Sequence, residues 1–401
     1  MKILFVMDTG FDLPGPSNHL FLALIEDTLL AGFDVHLIEA DRGGTDPLVP
    51  DVFLKYPGFT YETVKQKVVA KNRFASRYLE LLRYDFSLRA PLRRARDADL
   101  VFVQSCPTAP FLVSIARRIF GRKPIIYNVQ DMFPGSSIAS GVMKNRLMQK
   151  FFARLHRIAY RRADAVSVIS DDMKLKVVAE GVSEEKVRVI VNWYDDRRIR
   201  EVAWEDNRFV KKYSLSRDKF YVQYAGTMGY VFDYKTVIEA ARRLEGYPDI
   251  VFQMIGEGSC KAAFMEEAKE SKNIVFYPLE PAEMVSDVYS ACSICLIPLK
   301  YGVIGNSVPS KAGLLMAVGR TIVNSIDPES LHCRMFVEND IGLAASNLDP
   351  DSVAEAILRL YRDREGCRAM AERARVFGAR YYSRTLNTAK YVELFRELIE
   401  G

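Results

Sequence analysis

Short apolar runs alternate with stretches of helical periodicity along nearly the whole chain. ILFVM begins at residue 3, a helical pattern spans Ser17 to Ala31, and DVHLIEA follows at 34–40, ahead of a longer irregular basic stretch. DLVFVQS (99–105), PIIYNV (124–129), AVSVIS (165–170) and VRVIVN (187–192) then recur between helical patterns, one around 144–162 and another reaching Glu180. Strands this uniformly apolar are covered on both faces, as parallel strands flanked by helices are. Residues 196–218 turn polar and charged without a run long enough for a core strand, which reads as a linker. The alternation then restarts with FYVQYAG (220–226), IVFQMIG (250–256), NIVFYPL (273–279), ICLIPL (294–299), TIVNSI (321–326) and IGLAAS, and two helical stretches close the chain. The pattern predicts an α/β protein of two doubly wound, Rossmann-like domains, 1–195 and 219–380, with a cleft between them.

The 401 residues fit two domains of roughly 100 to 200 residues each. With 49% hydrophobic and 27% charged residues the chain has the balance of a folded globular protein, and a net charge of +5 is too mild to indicate a nucleic-acid partner. The basic residues are unevenly spread, however. Residues 65–96 hold ten Lys or Arg against Glu80 and Asp85, and residues 143–162 hold seven against no acid. Cys106, Cys260, Cys292, Cys295, Cys333 and Cys367 have no framework spacing and fit reduced thiols; the Cys292/Cys295 pair, inside SACSICLIPL, reads as buried strand thiols rather than a redox or zinc site. The five apolar residues before Asp8 are too few for a signal-peptide core, and no apolar run approaches a membrane span. A cytoplasmic protein with at most peripheral membrane association is expected.

Doubly wound sheets bind ligands at the carboxyl ends of their strands, which singles out four loops. TGFDLPGPSNH (9–19) is a Gly/Pro-rich turn ending in a residue suited to capping. It lacks G-x-G-x-x-G, although Glu39 and Asp41 at the end of the second strand keep a dinucleotide site conceivable. YNVQDMFPGSS (127–137) places Asp131 just past a strand, where an acid either caps a turn or faces a ligand. YAGTMGYVFDYK (224–235) carries Gly226 and Gly229, which either permit close approach to a phosphate or simply make a tight turn. YGVIGNSVPSKAGLLMAVGR (301–320) puts Ser310 and Lys311 in the first turn of a helix, where a cation is favoured only if a bound anion compensates it or the side chain points to solvent.

These loops, in order and spacing, resemble glycosyltransferase family 4, the retaining GT-B enzymes also called group 1 glycosyltransferases, and especially the branch that builds bacterial surface polysaccharides such as O-antigen and capsule. The resemblance runs through QDMFPGSSIASGVMKN, YRRADAVSVISDDMKLKVVAEGVSEEKVRVIVNWYD, QYAGTMG, QMIGEGSCKAAF and NSVPSKAGLLMAVGR. It implies that Gly226, Thr227 and Gly229, with Asn306, Ser307, Pro309, Ser310 and Lys311, hold the donor diphosphate. Gly256, Glu257, Gly258, Tyr277 and Leu279 would wall the nucleotide base. Asp131 and Lys311 would be catalytic, and Gly15, Asn18 and His19 would lie on the acceptor side. It also implies a last helix, 381–401, crossing back to the N-terminal domain. One departure stands out: where many members carry two glutamates eight residues apart, the second holding the ribose hydroxyls, this chain has Asn306 and Leu314.

The reading that results is a retaining hexosyltransferase (EC 2.4) that moves a sugar, an N-acetylated hexosamine or its 6-deoxy form, from a UDP-linked donor to a lipid-linked glycan. No cofactor or metal is expected, since neither D-x-D nor a histidine cluster stands at a strand end. The basic segments 65–96 and 143–162 would meet an anionic membrane surface, or are solvated helix faces. A non-catalytic GT-B subunit of a glycosyltransferase complex and a nucleotide-sugar epimerase are the alternatives.

Overall fold

The computed structural model describes residues 1–13, 15, 17–69, 73–139, 141 and 143–401. Two prolines of the first loop (14 and 16), residues 70–72 of the basic stretch, and residues 140 and 142 beyond the helix Gly135–Ala139 lie outside them.

The chain divides into two compact units. The first takes in Met1–Ile138, Met143–Val191 and Thr385–Gly401, and the second is chiefly Asn192–Arg384. In the first unit seven parallel strands are β1 (Lys2–Val6), β2 (Asp34–Asp41), β3 (Phe59–Lys65), β4 (Leu100–Gln104), β5 (Ile125–Val129), β6 (Ala165–Val168) and β7 (Val187–Val189), ordered β3-β2-β1-β4-β5-β6-β7. In the second, β8 (Phe220–Ala225), β9 (Ile250–Ile255), β10 (Ile274–Tyr277), β11 (Ile294–Pro298), β12 (Thr321–Ile326) and β13 (Gly342–Ser346) run β10-β9-β8-β11-β12-β13, also all parallel. Strand order reverses between β1 and β4 in one sheet and between β8 and β11 in the other. Those reversals open the crevices where ligands of such sheets sit.

Central strands are buried end to end: every residue of β4, β5, β8, β11 and β12 is buried, in keeping with their largely apolar sequences. β3 escapes the apolar pattern because it is an edge strand whose Thr60 and Tyr61 face solvent, so it lies within the stretch read as irregular.

Residues 196–218, read as a linker, are instead an integral part of the second unit. Asn207 caps the helix Arg208–Tyr213, accepting from Val210 N at 3.0 Å, and its amide donates to the Asp287 carbonyl at 2.7 Å. Arg208 holds the Asp287 carboxylate through its backbone N (2.7 Å), Nε (3.1 Å) and Nη2 (2.7 Å), and Phe209 is wholly buried. A charged sequence hides this anchoring because its contacts are polar and long-range.

The last helix, Arg384–Glu400, belongs with the first unit from Thr385 onward. Phe395 packs edge-on against Phe5, Phe33 and Phe102, and burial of one such ring contributes about 1.5–3 kcal/mol. Beside it, the buried Tyr391 hydroxyl accepts from Asn128 Nδ2 at 2.7 Å. The basic stretch folds into two helices, Phe74–Ser87 and Arg89–Arg94, and the second basic segment into Arg146–Arg162, started by Asn145, whose side chain accepts from Leu147 N (2.9 Å) and Met148 N (3.2 Å). A cluster of Phe133, Met143 and Phe152 with Phe74, Tyr78 and Leu155 fastens the longer two helices together. Tyr84 is buried too, its hydroxyl donating to Met7 O at 2.8 Å, so the first segment is partly core and not wholly a surface face.

Candidate functional site

In the second unit the loop after β8 turns at Gly226, whose φ of +139° is open only to glycine at low cost. Opposite it stands Lys311, the first residue of the helix Lys311–Ala317, with Ser310 at the cap position and not in the first turn. A Cβ at Gly226 would overlap Lys311 Nζ and Cε, so the missing side chain is what makes room for the lysine. Lys311 Nζ lies over the Tyr224 ring, 3.9 Å from its centroid, and the Tyr224 hydroxyl donates to the Thr227 carbonyl at 2.6 Å. Desolvation pulls the lysine down to about 7, opposed in part by the Cys295 thiol. No carboxylate pairs with it among the described residues. A cation so placed can neutralise an anion brought to the same spot.

Gly256 (φ +135°) and Gly258 (φ +156°) follow β9 and press against this loop: a Cβ on either would overlap the backbone of Gly226 or Met228. Backbone bonds Gly226 N to Ile255 O (2.9 Å) and Met228 N to Glu257 O (2.9 Å) knit the two turns. Glu257 is exposed and ion-pairs with Lys261 at 2.5 Å. Tyr277 is half-buried, packed on Phe209 and Tyr213 at centroid distances of 5.4 and 4.8 Å, whereas Leu279 is 62% exposed. The loop before the lysine is held by buried Asp327, which accepts from Gly302 N (2.8 Å) and Ile304 N (3.1 Å). Asn306 Nδ2 donates to Gly302 O at 3.0 Å, so its side chain already serves the loop. Ser307 and Pro309 are half-buried in the same segment, Gly229 in the β8 loop, and Thr227 is exposed.

The first unit has a cavity of about 760 Å³ at the carboxyl ends of β1, β4 and β5. Gly15, Asn18 and Asp131 line it, the last exposed; His19, in the first turn of the helix Asn18–Leu30, is exposed and is not among the lining residues. Ser17 sits at that helix's cap position without a side-chain cap bond; Asn18 Nδ2 instead donates to Leu13 O at 3.0 Å. Asp8, Arg42 and Arg77 also line the cavity. Burial raises the Asp8 carboxyl to about 6 against the pull of Arg42 and Arg77. Arg42 Nε donates to Gln66 Oε1 at 2.7 Å and Nη2 to Asp8 O at 2.5 Å. Glu39, wholly buried, accepts from Phe11 N at 3.1 Å and is raised to about 8, chiefly by burial. It anchors the first loop and is not among the residues lining the cavity.

Thus Lys311, Gly226, Thr227, Gly229, Gly256 and Gly258 come together in the second unit, while Asp131, Gly15 and Asn18 share a cavity in the first. Missed from the sequence were Asp8, Arg42, Tyr224 and Asp327. Asp8 follows an apolar strand as Asp131 does and could have been found by that signal. Tyr224 could not, because an aromatic inside a strand reads as core.

Residues 21–193 match the Glycosyl transferase 4-like domain and residues 205–377 match Glycosyl transferases group 1. The probable glycosyltransferase WbjE of Pseudomonas aeruginosa is 26% identical over 321 residues, 79% of this chain and 78% of that one. The putative colanic acid biosynthesis glycosyl transferase WcaI of Escherichia coli K12 is 25% identical over 322 residues, 79% and 77% of the two chains. Among solved structures, Anabaena Alr3699/HepE in complex with UDP-glucose superposes with a TM-score of 0.74 at 15% identity, covering 99% of this chain and 100% of that one.

Proposed function

The chain belongs to the family 4 glycosyltransferases, with the GT-B pair of parallel-sheet units, and from that premise we propose that its second unit binds a UDP-linked sugar and its first unit a lipid-linked glycan acceptor. It is a glycosyltransferase of polysaccharide biosynthesis. The sugar transferred is an N-acetylated hexosamine or its 6-deoxy form, the anomeric configuration is retained, and no metal takes part.

The observation that carries this reading is Lys311: an amine with no carboxylate partner among the described residues, seated against a glycine whose bare backbone makes room for it beside the β8 loop. Charge developing on a leaving diphosphate would be stabilised there by a group already oriented, which needs no reorganisation during the reaction. The UDP-glucose held by the structurally similar HepE supports a nucleotide-sugar donor. Asp8, Glu80 and Asp131 line the first unit's cavity, and in this reading Asp131 and the raised carboxyl of Asp8 contact a sugar hydroxyl of the acceptor.

No helix of the described residues is long and apolar enough to cross a membrane. Peripheral attachment to the inner face of the plasma membrane is supported by the helix Arg146–Arg162, which exposes Leu147 (78%) and Phe151 (62%) among six Arg or Lys and no acid. The test of function is thermal stability against UDP, GDP, ADP and TDP, followed by transfer from UDP-sugars with and without EDTA. A midpoint rise with UDP and EDTA-insensitive transfer are expected. Failure to bind any nucleotide would leave a non-catalytic subunit, consistent with Asn306 and Leu314 in place of the two glutamates; release of an epimerised sugar without acceptor would mark an epimerase.

A further inference from the structure

We infer that Tyr224 is a positioning residue of the donor site, its ring holding the Lys311 ammonium and its hydroxyl fixing the Thr227 to Gly229 turn. The inference rests on the proposal that this site takes a nucleoside diphosphate.

Tyr224 is the penultimate residue of β8, 6% exposed and stacked on Phe232 at a centroid distance of 4.4 Å, so the ring cannot turn away. One face receives Lys311 Nζ at 3.9 Å, well inside cation–π range. The hydroxyl donates to Thr227 O at 2.6 Å, within the loop whose amides would meet a phosphate. A single side chain therefore ties together the two segments, around Gly226 and around Lys311, that lie far apart in the chain. The face of the ring also favours the cationic lysine. Its other neighbour is the Cys295 thiol of β11, which burial pushes well up and which sits beside Cys292 and Arg320. From the helix Val285–Ser290, Tyr289 spends its hydroxyl on Ala225 O at 2.9 Å. With no carboxylate paired with Lys311 among the described residues, the quadrupole of Tyr224 opposes the desolvation that pulls the lysine down.

The experiment measures nucleoside diphosphate affinity by calorimetry from pH 5.5 to 9 for the full-length wild type, Lys311→Met, Tyr224→Phe and Tyr224→Leu. Wild-type affinity falls as pH rises through about 7, where free Lys311 loses its proton. Tyr224→Phe keeps the ring and loses about 3- to 10-fold in affinity with an unchanged midpoint. Tyr224→Leu loses about 10- to 30-fold, and its midpoint moves to lower pH. In ¹³C-lysine-labelled wild type, the Lys311 ε-methylene protons resonate upfield, and Lys311→Met removes that signal. If Tyr224→Leu does not fold, Tyr224→Phe and this resonance decide. Should none of UDP, GDP, ADP or TDP bind the wild type, the donor reading falls and takes this inference with it. Should the wild type bind and Lys311→Met weaken it while Tyr224→Leu keeps both affinity and midpoint, the role of Tyr224 alone is overturned. Tyr224→Phe at full affinity, together with an unshifted lysine resonance, would overturn that role as well.

Discussion

Gly226→Ala should weaken ligand binding about as much as it weakens the fold, and two neighbouring glycines provide the controls. At φ +139° a non-glycine residue costs about 1–3 kcal/mol. In a unit of this size that lowers the melting temperature by about 2–4 °C per kcal/mol. The new Cβ lies closer than real Cβ atoms come to Lys311 Nζ and Cε, but these are the tip of a flexible chain, which swings away at small expense. Moving it withdraws the ammonium from the diphosphate, and a hydrogen bond to a charged group is worth about 1.5–3 kcal/mol, or roughly 10- to 150-fold in affinity. At Gly256 the same methyl meets the Gly226 carbonyl, which cannot swing, so Gly256→Ala should lower stability more than Gly226→Ala does. At Gly229 an added Cβ finds only Thr227 Cγ2 at 3.6 Å, an ordinary contact, and Gly229→Ala should be close to neutral in the fold. Scanning calorimetry and UDP titration on the three variants separate these outcomes. Wild-type UDP affinity in a folded Gly226→Ala protein would refute the assignment of Lys311 to the diphosphate.

Three further outcomes follow from particular contacts. Glu39 is raised from its ordinary value to about 8, so its folded state prefers the proton: the stability it contributes is complete below about pH 4.5 and is lost as pH climbs toward 8. Glu39→Gln should therefore flatten the decline in melting temperature between pH 5 and 8, and an unchanged decline would exclude Glu39 as its source. Tyr391→Phe leaves buried Asn128 Nδ2 without one of its acceptors and should cost about 1–2 kcal/mol in urea unfolding of the whole chain; a change below about 0.3 kcal/mol would mean the network is dispensable. Replacing exposed Leu147 and Phe151 by Glu should abolish sedimentation with vesicles containing anionic lipid at low salt while leaving UDP affinity intact, and retained sedimentation would remove this helix from the membrane contact.

Period and composition carried the chain's plan. Largely apolar runs such as those of β4, β8 and β11 are best satisfied by burial on both faces, so parallel sheets flanked by helices followed from local sequence alone. The glycines of the β8 and β9 loops were legible for a related reason: a positive φ restricts residue choice strongly enough to leave a mark at one position. What depended on distant partners left no such mark. Helix Arg208–Tyr213 looked like a linker because Asp287, 79 residues on, supplies the anchor. The edge strand β3 is exposed where its central fellows are buried, since only one neighbouring strand covers it. Lys311 was visible as a cation at a helix start, yet its desolvation, its lack of a carboxylate among the described residues and its seat on Tyr224 exist only because the sheet sets β8 beside β11. Asp8 likewise reads as one more acid after a strand until its burial, against the opposing pull of Arg42 and Arg77, fixes how readily it holds a proton. Sequence sets which faces must be buried, because hydrophobicity is a property of each residue; the electrostatics of a site belong to the arrangement, because they depend on which groups the fold brings within a few ångströms.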